Sequence, residues 1–174
     1  ATYAGKGGQF TEEEVTQLVP AFGEGDFFEA AEAFFSLDLA WTLDALRRHF
    51  FTSNEARPLI ASMQNRNRLM IQLRVLMDSG ELSLGSRGFA KGDFDRAART
   101  YSKHFGGFDT KASFNVFTQN LWYLGNKIAP SARGLKLKRL VDFQLEFMRA
   151  FEDLIRRSND QHAVMRDLAI RCLS

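Results

Sequence analysis

Two scarcities narrow the reading of this chain first. It has one cysteine, Cys172, and three prolines among 174 residues. A lone thiol has no partner for an intramolecular disulfide and no second thiol for a zinc site, so a reducing, cytoplasmic setting is expected rather than a secreted scaffold. With so few prolines, long helices run uninterrupted. Long apolar runs are missing too: no stretch reaches 18 apolar residues, and the opening ATYAGKGGQF lacks the apolar core of a signal peptide. A soluble chain is expected. Between residues 7 and 46 there is also no Lys or Arg.

Signatures of chemistry are scarce in the same way. Gly5-Lys6-Gly7-Gly8 lacks the GxxxxGK[ST] spacing whose amides wrap phosphates, and reads as flexible backbone. His49, His104 and His162 lie far apart, and none has a His or Cys at ligand spacing, so no metal site is expected. No GxSxG elbow is present, and Cys172 falls in an expected terminal helix. Glu152 and Asp153 diverge on a helix and sit beside Arg156 and Arg157, which points to surface ion pairing rather than acid–base work. No catalytic, cofactor-binding or metal-ligating residue is assigned, and no cofactor is expected.

What the chain has in quantity is phenylalanine, at 17 positions, within a 45% hydrophobic composition that suffices for one sizeable core. Charge is unevenly placed. Residues 7 to 46 carry nine acids, whereas from residue 47 onward there are 22 Lys and Arg against 12 Asp and Glu. Such polarity can orient a partner or a polyanion.

Periodicity is helical throughout, and seven or eight helices in a single all-α, bundle-like domain over residues 11–174 are expected after a flexible lead-in, 1–10. Thr11 to Glu14 has capping-box spacing and opens a short helix that ends near Pro20. Asp26 is expected to cap a helix to Phe35, and Asp38 one to Phe51. A central helix is predicted over Glu55 to Asp78, with Pro58 in its first turn and Gly80 as its stop. Residues 79 to 92 read as a loop without strand alternation. Helices are then expected over Asp93 to Phe105, Lys111 to Ile128, Ser131 to Arg157 and Asn159 to Leu173, with Pro130 as a separator. The basic stretch Arg133, Lys136, Lys138 and Arg139 is compatible with phosphate binding or with a solvated helix face.

Residues 11 to 80 resemble, in order, the carboxy-terminal collar region of the clamp-loader delta subunit of bacterial DNA polymerase III. Thr11-Glu12-Glu13-Glu14-Val15 followed by Phe27-Phe28-Glu29-Ala30 is similar to that family's Thr-acid-acid-Val segment and Phe-containing helix. Trp41 to Leu46 occupies the place of its Ala-Leu helix, and Glu55-Ala56-Arg57-Pro58-Leu59 resembles its entry into the long helix. Gln64, Arg68, Leu69, Arg74, Leu76 and Gly80 are the most specific part of the likeness.

This resemblance implies a clamp-loader piece that oligomerises with the other loader subunits through a collar to load the sliding clamp on primed DNA. It implies no enzymatic activity of this piece, although the parent holoenzyme is a DNA-directed DNA polymerase. In the family, the sliding clamp is contacted by an amino-terminal region that is not in this chain. The acidic early helices would then face protein and the basic later ones DNA, with Arg133, Lys136, Lys138 and Arg139 as the DNA-facing residues. Phe residues beyond the needs of a core would serve as anchors between subunits. Two other readings stay open: a free-standing helical nucleic-acid-binding protein, and an enzyme of a helical class. No membrane association is expected.

Overall fold

A computed structural model describes residues 24–53, 55–105 and 112–174. The expected short helix after Thr11 lies outside them. Helix α1 (Glu24–Phe35) starts two residues before Asp26. It turns back on itself at Ser36 and Leu37 to meet α2 (Leu39–Thr52). Asp38 caps α2 as its position predicts: the Trp41 amide donates to Asp38 Oδ1 at 2.8 Å. Glu29 ties the two helices together, accepting from Trp41 Nε1 at 2.8 Å and from Arg48 Nη2 at 2.6 Å.

The long helix α3 (Ala56–Asp78) is the spine, with Pro58 in its first turn. Its buried positions Leu59, Ile60, Met63, Asn67, Met70 and Leu73 recur at helical spacing. They pack along α7 (Leu137–Arg156), which presents Leu140, Phe143, Phe147, Ala150 and Leu154. Asn67 pins this pair inside the core, donating to the Leu140 carbonyl at 2.9 Å and to Gln144 Oε1 at 3.1 Å. The last helix, α8 (Gln161–Leu173), packs against α2 and α7. Gln161 Oε1 accepts the Ala56 amide at 2.8 Å, joining the starts of α8 and α3. At the centre, Phe34 meets Phe35, Phe143 and Phe147 with ring centroids 5.2, 5.2 and 5.3 Å away. Edge-on and tilted contacts of this kind suit the aromatic quadrupole.

The stretch between α3 and α7 departs from expectation in four places. Residues 79 to 92 contain a two-stranded antiparallel hairpin, β1 (Leu84–Gly85) with β2 (Gly88–Phe89), closed through Gly88 at φ +90°. Helix α4 begins at Lys91 rather than Asp93 and runs to Tyr101, with one 3-10 turn (Ser102–Phe105) after it. The helix expected over Lys111 to Ile128 does not form over its first half. Asn115 and Asn120 instead cap short turns, accepting the Phe117 and Tyr123 amides at 3.0 and 3.2 Å, while Thr118 Oγ1 donates to the Ala112 carbonyl. Short polar side chains compete with the helix for backbone groups in this way. Gln72 of α3 fixes the result, donating to the Phe114 carbonyl at 2.7 Å and accepting the Val116 amide at 2.9 Å.

Finally, the expected Ser131 to Arg157 helix is two helices, and Pro130 does not separate anything. A turn of α5 (Leu121–Tyr123) runs through a π segment (Leu124–Ile128) directly into α6 (Ala129–Gly134). The Ala129 amide reaches back five residues to the Leu124 carbonyl. Pro130 has no N–H to contribute, so the hydrogen-bond register changes where no donor is lost. The real break follows Gly134: Leu135 (φ −112°, ψ 139°) and Lys136 (φ −70°, ψ 145°) are extended, and Leu135 is buried. The architecture is all-α with one minimal hairpin, as the periodicity predicts. Among the described residues, no helix is long and apolar enough to cross a membrane.

Candidate functional site

The four cations singled out from the sequence lie where α6 gives way to α7, and all are exposed. They are not equivalent. Lys138 Nζ pairs with Asp142 at 2.9 Å, one helical turn on. Arg139 Nη2 donates to the Cys172 carbonyl, and its guanidinium lies 5.0 Å from the Phe143 ring centroid, so it serves as a clasp between α7 and α8. Arg133 contributes its carbonyl to Arg74 Nη1 at 3.0 Å, leaving its own guanidinium outside any ion pair. Lys136, in the extended link, is likewise free. From residue 112 to residue 141 there are five cations and no acid, and exposed Trp122 and Tyr123 fall in the same stretch.

Among the described residues, those with catalytic potential do not assemble. His49 is buried, with Nε2 3.1 Å from the Glu55 carbonyl and its ring edge-on to Phe50. The His162 ring centroid lies 5.4 Å from that of Phe50, and His104 is exposed in the 3-10 turn after α4. Ser158, Asp160 and His162 line one shallow groove, but no hydrogen bond links them, and Asp160 is held by Arg157 at 2.7 Å. Burial pushes the Cys172 thiol up to about 12, with the nearby Glu146 charge adding to the effect, so little nucleophilic thiolate forms at neutral pH. No group of His, Cys, Asp or Glu that could hold a metal exists among the described residues. Glu152 and Asp153 form no ion pair, contrary to the sequence expectation: Arg157 turns to Asp160 and Asp167, and Arg156 pairs with no described acid.

The surface that stands out is the outer side of α7. Val141, Leu145, Met148 and Ile155 are 43, 51, 53 and 58% exposed, with Phe151 beside them and Ile170 of α8 also exposed. Their spacing, with Glu152 filling the remaining position, is four, three, four, three. That is a heptad seam, about 150° around the helix from the buried one. A helix that only covers a core needs one apolar stripe. In the sequence, Val141, Leu145, Met148, Phe151 and Ile155 interleave with the buried Leu140, Phe143, Phe147 and Leu154, so that hydrophobicity alone does not separate the two stripes; counting the two spacings does. Beside the seam, a groove of about 330 Å³ lies between α7 and α8, walled by Arg139, Asp142, Glu146, Arg149 and Arg171. Among the described phenylalanines, Phe28, Phe51 and Phe114 are the most exposed. Comparison with protein-family models, curated proteins and solved structures finds no match to this chain.

Proposed function

We propose that this chain is a helical assembly module, and that its assembly is that of the clamp-loader delta collar it resembles between Thr11 and Gly80. The observation that carries the first part is the exposed seam of α7. An exposed and mainly apolar heptad seam on a long helix, unused by the domain's own core, is what a protein partner buries. The sequence resemblance supports the second part, and no catalytic centre competes with it among the described residues. In this reading the domain supplies contacts and other subunits supply chemistry. Its setting is the cytoplasm, and its partners are the other loader subunits.

Co-elution with purified clamp-loader subunits tests the proposal, at low and at high salt. A stable complex with this chain, lost on Leu145→Glu, is the expected result. The absence of any complex at either salt concentration retires the clamp-loader reading.

One specific observation favours a second reading, direct contact with nucleic acid: the acid-free basic stretch coincides with exposed Trp122, the pairing of cations with a stacking ring that single strands use. Salt-dependent binding of an oligonucleotide by the isolated chain would support it.

A further inference from the structure

The seam on α7 has a charge order that suits only one orientation of a copy of itself. Extended one step toward the amino terminus, it reads Lys138, Val141, Leu145, Met148, Glu152, Ile155, alternating by three and four. Its charged positions are a cation near one end and an acid near the other, with apolar residues between. Lys138 and Glu152 are separated by about 21 Å along the helix, at 1.5 Å per residue, and do not meet within one chain. Glu152 has no ion pair, and Lys138, whose amine pairs with Asp142 at 2.9 Å, keeps its side chain 85% exposed and within reach of a second acid. The positions that follow Val141, Met148 and Ile155, seven residues apart, carry Asp142, Arg149 and Arg156, and within the chain Asp142 pairs with Lys138 and Arg149 with Glu146.

We infer that α7 pairs with α7 of a second copy of this chain, antiparallel, about a two-fold axis between Leu145 and Met148. In that register Leu145 of each copy packs against Met148 of the other, and Val141 covers the stem of Glu152. Lys138 opposes Ile155 and lies one turn from the Glu152 carboxylate, twice by symmetry. Asp142 and Arg149 flank one another on the same side, where charges of opposite sign set helix orientation. A parallel pairing stacks Lys138 on Lys138 and Glu152 on Glu152, and is disfavoured. Phe151, 38% exposed beside the seam, widens the apolar contact. The inference uses the same face as the assembly reading and names its simplest occupant.

Sedimentation equilibrium of the full chain over a wide concentration range, with helical circular dichroism as a check of folding, tests it. Wild type should show a reversible monomer–dimer equilibrium, and Leu145→Glu should abolish the dimer while helicity is kept. Lys138→Glu and Glu152→Lys should each weaken dimerisation about tenfold or more, because each sets like charges one turn apart at both ends of the contact. Their combination should bring the affinity back to near wild type, since these residues meet only between copies. A wild-type chain that stays monomeric throughout overturns the inference, and so does a double variant no tighter than the single ones. If wild type is monomeric yet co-elutes with loader subunits, the self-pairing fails while the assembly proposal survives.

Discussion

Leu37 and Gly80 occupy the same position in the same motif, with opposite consequences. After α1 the Leu37 amide bonds to the Phe34 carbonyl and the Asp38 amide to the Ala33 carbonyl; after α3 the Gly80 amide bonds to Met77 and the Glu81 amide to Leu76. Both are Schellman endings, whose first residue beyond the cap takes a left-handed conformation. Gly80 does so at φ +76° without a Cβ to clash, whereas Leu37 does so at φ 64° with a branched side chain left 44% exposed. The conformation costs a non-glycine residue about 1–2 kcal/mol. Leu37→Gly is therefore expected to stabilise the fold by roughly 0.5–1 kcal/mol, after the added freedom of the unfolded glycine is subtracted. Gly80→Ala should destabilise it by about 1 kcal/mol. Urea unfolding of both variants checks the pair, and a destabilised Leu37→Gly would mean that the Leu37 side chain makes a contact worth more than the strain.

A second glycine matters for space rather than for angle. A Cβ on Gly125 would lie 3.0 Å from Gly88 Cα and 3.3 Å from the Phe89 amide nitrogen. The π segment and the hairpin thus touch backbone to backbone. Both sides of that contact are rigid, so Gly125→Ala should push the hairpin away and destabilise the domain by about 1–3 kcal/mol. Thermal unfolding measures it. Gly92 has open space at its Cβ position, and its alanine variant is the matched control.

Among the elements, what the sequence revealed depended on how local the cause was. Asp38 before an apolar repeat, Pro58 in a first turn and Gly80 after a last one are each decided within a few residues, and α2 and α3 appear within a residue or so of their expected bounds. The stretch from residue 112 to residue 136 was not legible because its causes are distant. Gln72 holds the backbone at Phe114 and Val116 from 42 and 44 residues away. Gly125 adapts to a hairpin that lies well upstream. Side-chain pairing was equally hidden: the positive charges of Arg133 to Arg139 can be counted, but that Arg139 clasps α8 while Lys136 is free depends on the fold.

The clasp between α7 and α8 is also where pH should act. Glu146 accepts from Arg171 Nε at 2.8 Å and from Arg149 Nη1 at 2.5 Å, and these, the Arg171 bond above all, hold its carboxyl below the usual value against the opposing effect of burial. A carboxyl whose folded-state pKa is depressed contributes its stabilisation fully above the unfolded value, about 4.3, and loses it as pH falls through the folded one. Glu146→Gln should therefore be less stable than wild type at neutral pH, and the gap should close as pH is lowered below about 4. A gap that is the same at pH 3 and pH 7 would show that the helix contact does not depend on the ionised carboxylate.

On the scale of the whole molecule, the acidic and basic halves of the sequence are treated differently by the fold. Among the described acids of the early helices, Glu29, Glu32 and Asp44 are taken up by Arg48, Arg66 and Arg47, so those charges are spent internally. Among the described residues, the cations of 112–141 have only Asp142 as an acidic partner. A polyanion would meet this side of the domain, and the free cations would bear most of the contact. Each phosphate contact on a single strand contributes about 0.7 to the slope of log affinity against log salt. Neutralising Arg133 and Lys136 together should lower that slope by about 1.4, if each makes one contact. Neutralising Lys138 and Arg139 should change it less, since one is paired to Asp142 and the other is bound to the Cys172 carbonyl. Fluorescence anisotropy of a labelled oligonucleotide across a salt series separates the two outcomes. Equal slopes for both double variants would mean that the Lys138 and Arg139 pairings give way on binding, and a wild-type affinity that ignores salt would leave the basic side as a solvated face and α7 as the surface that matters.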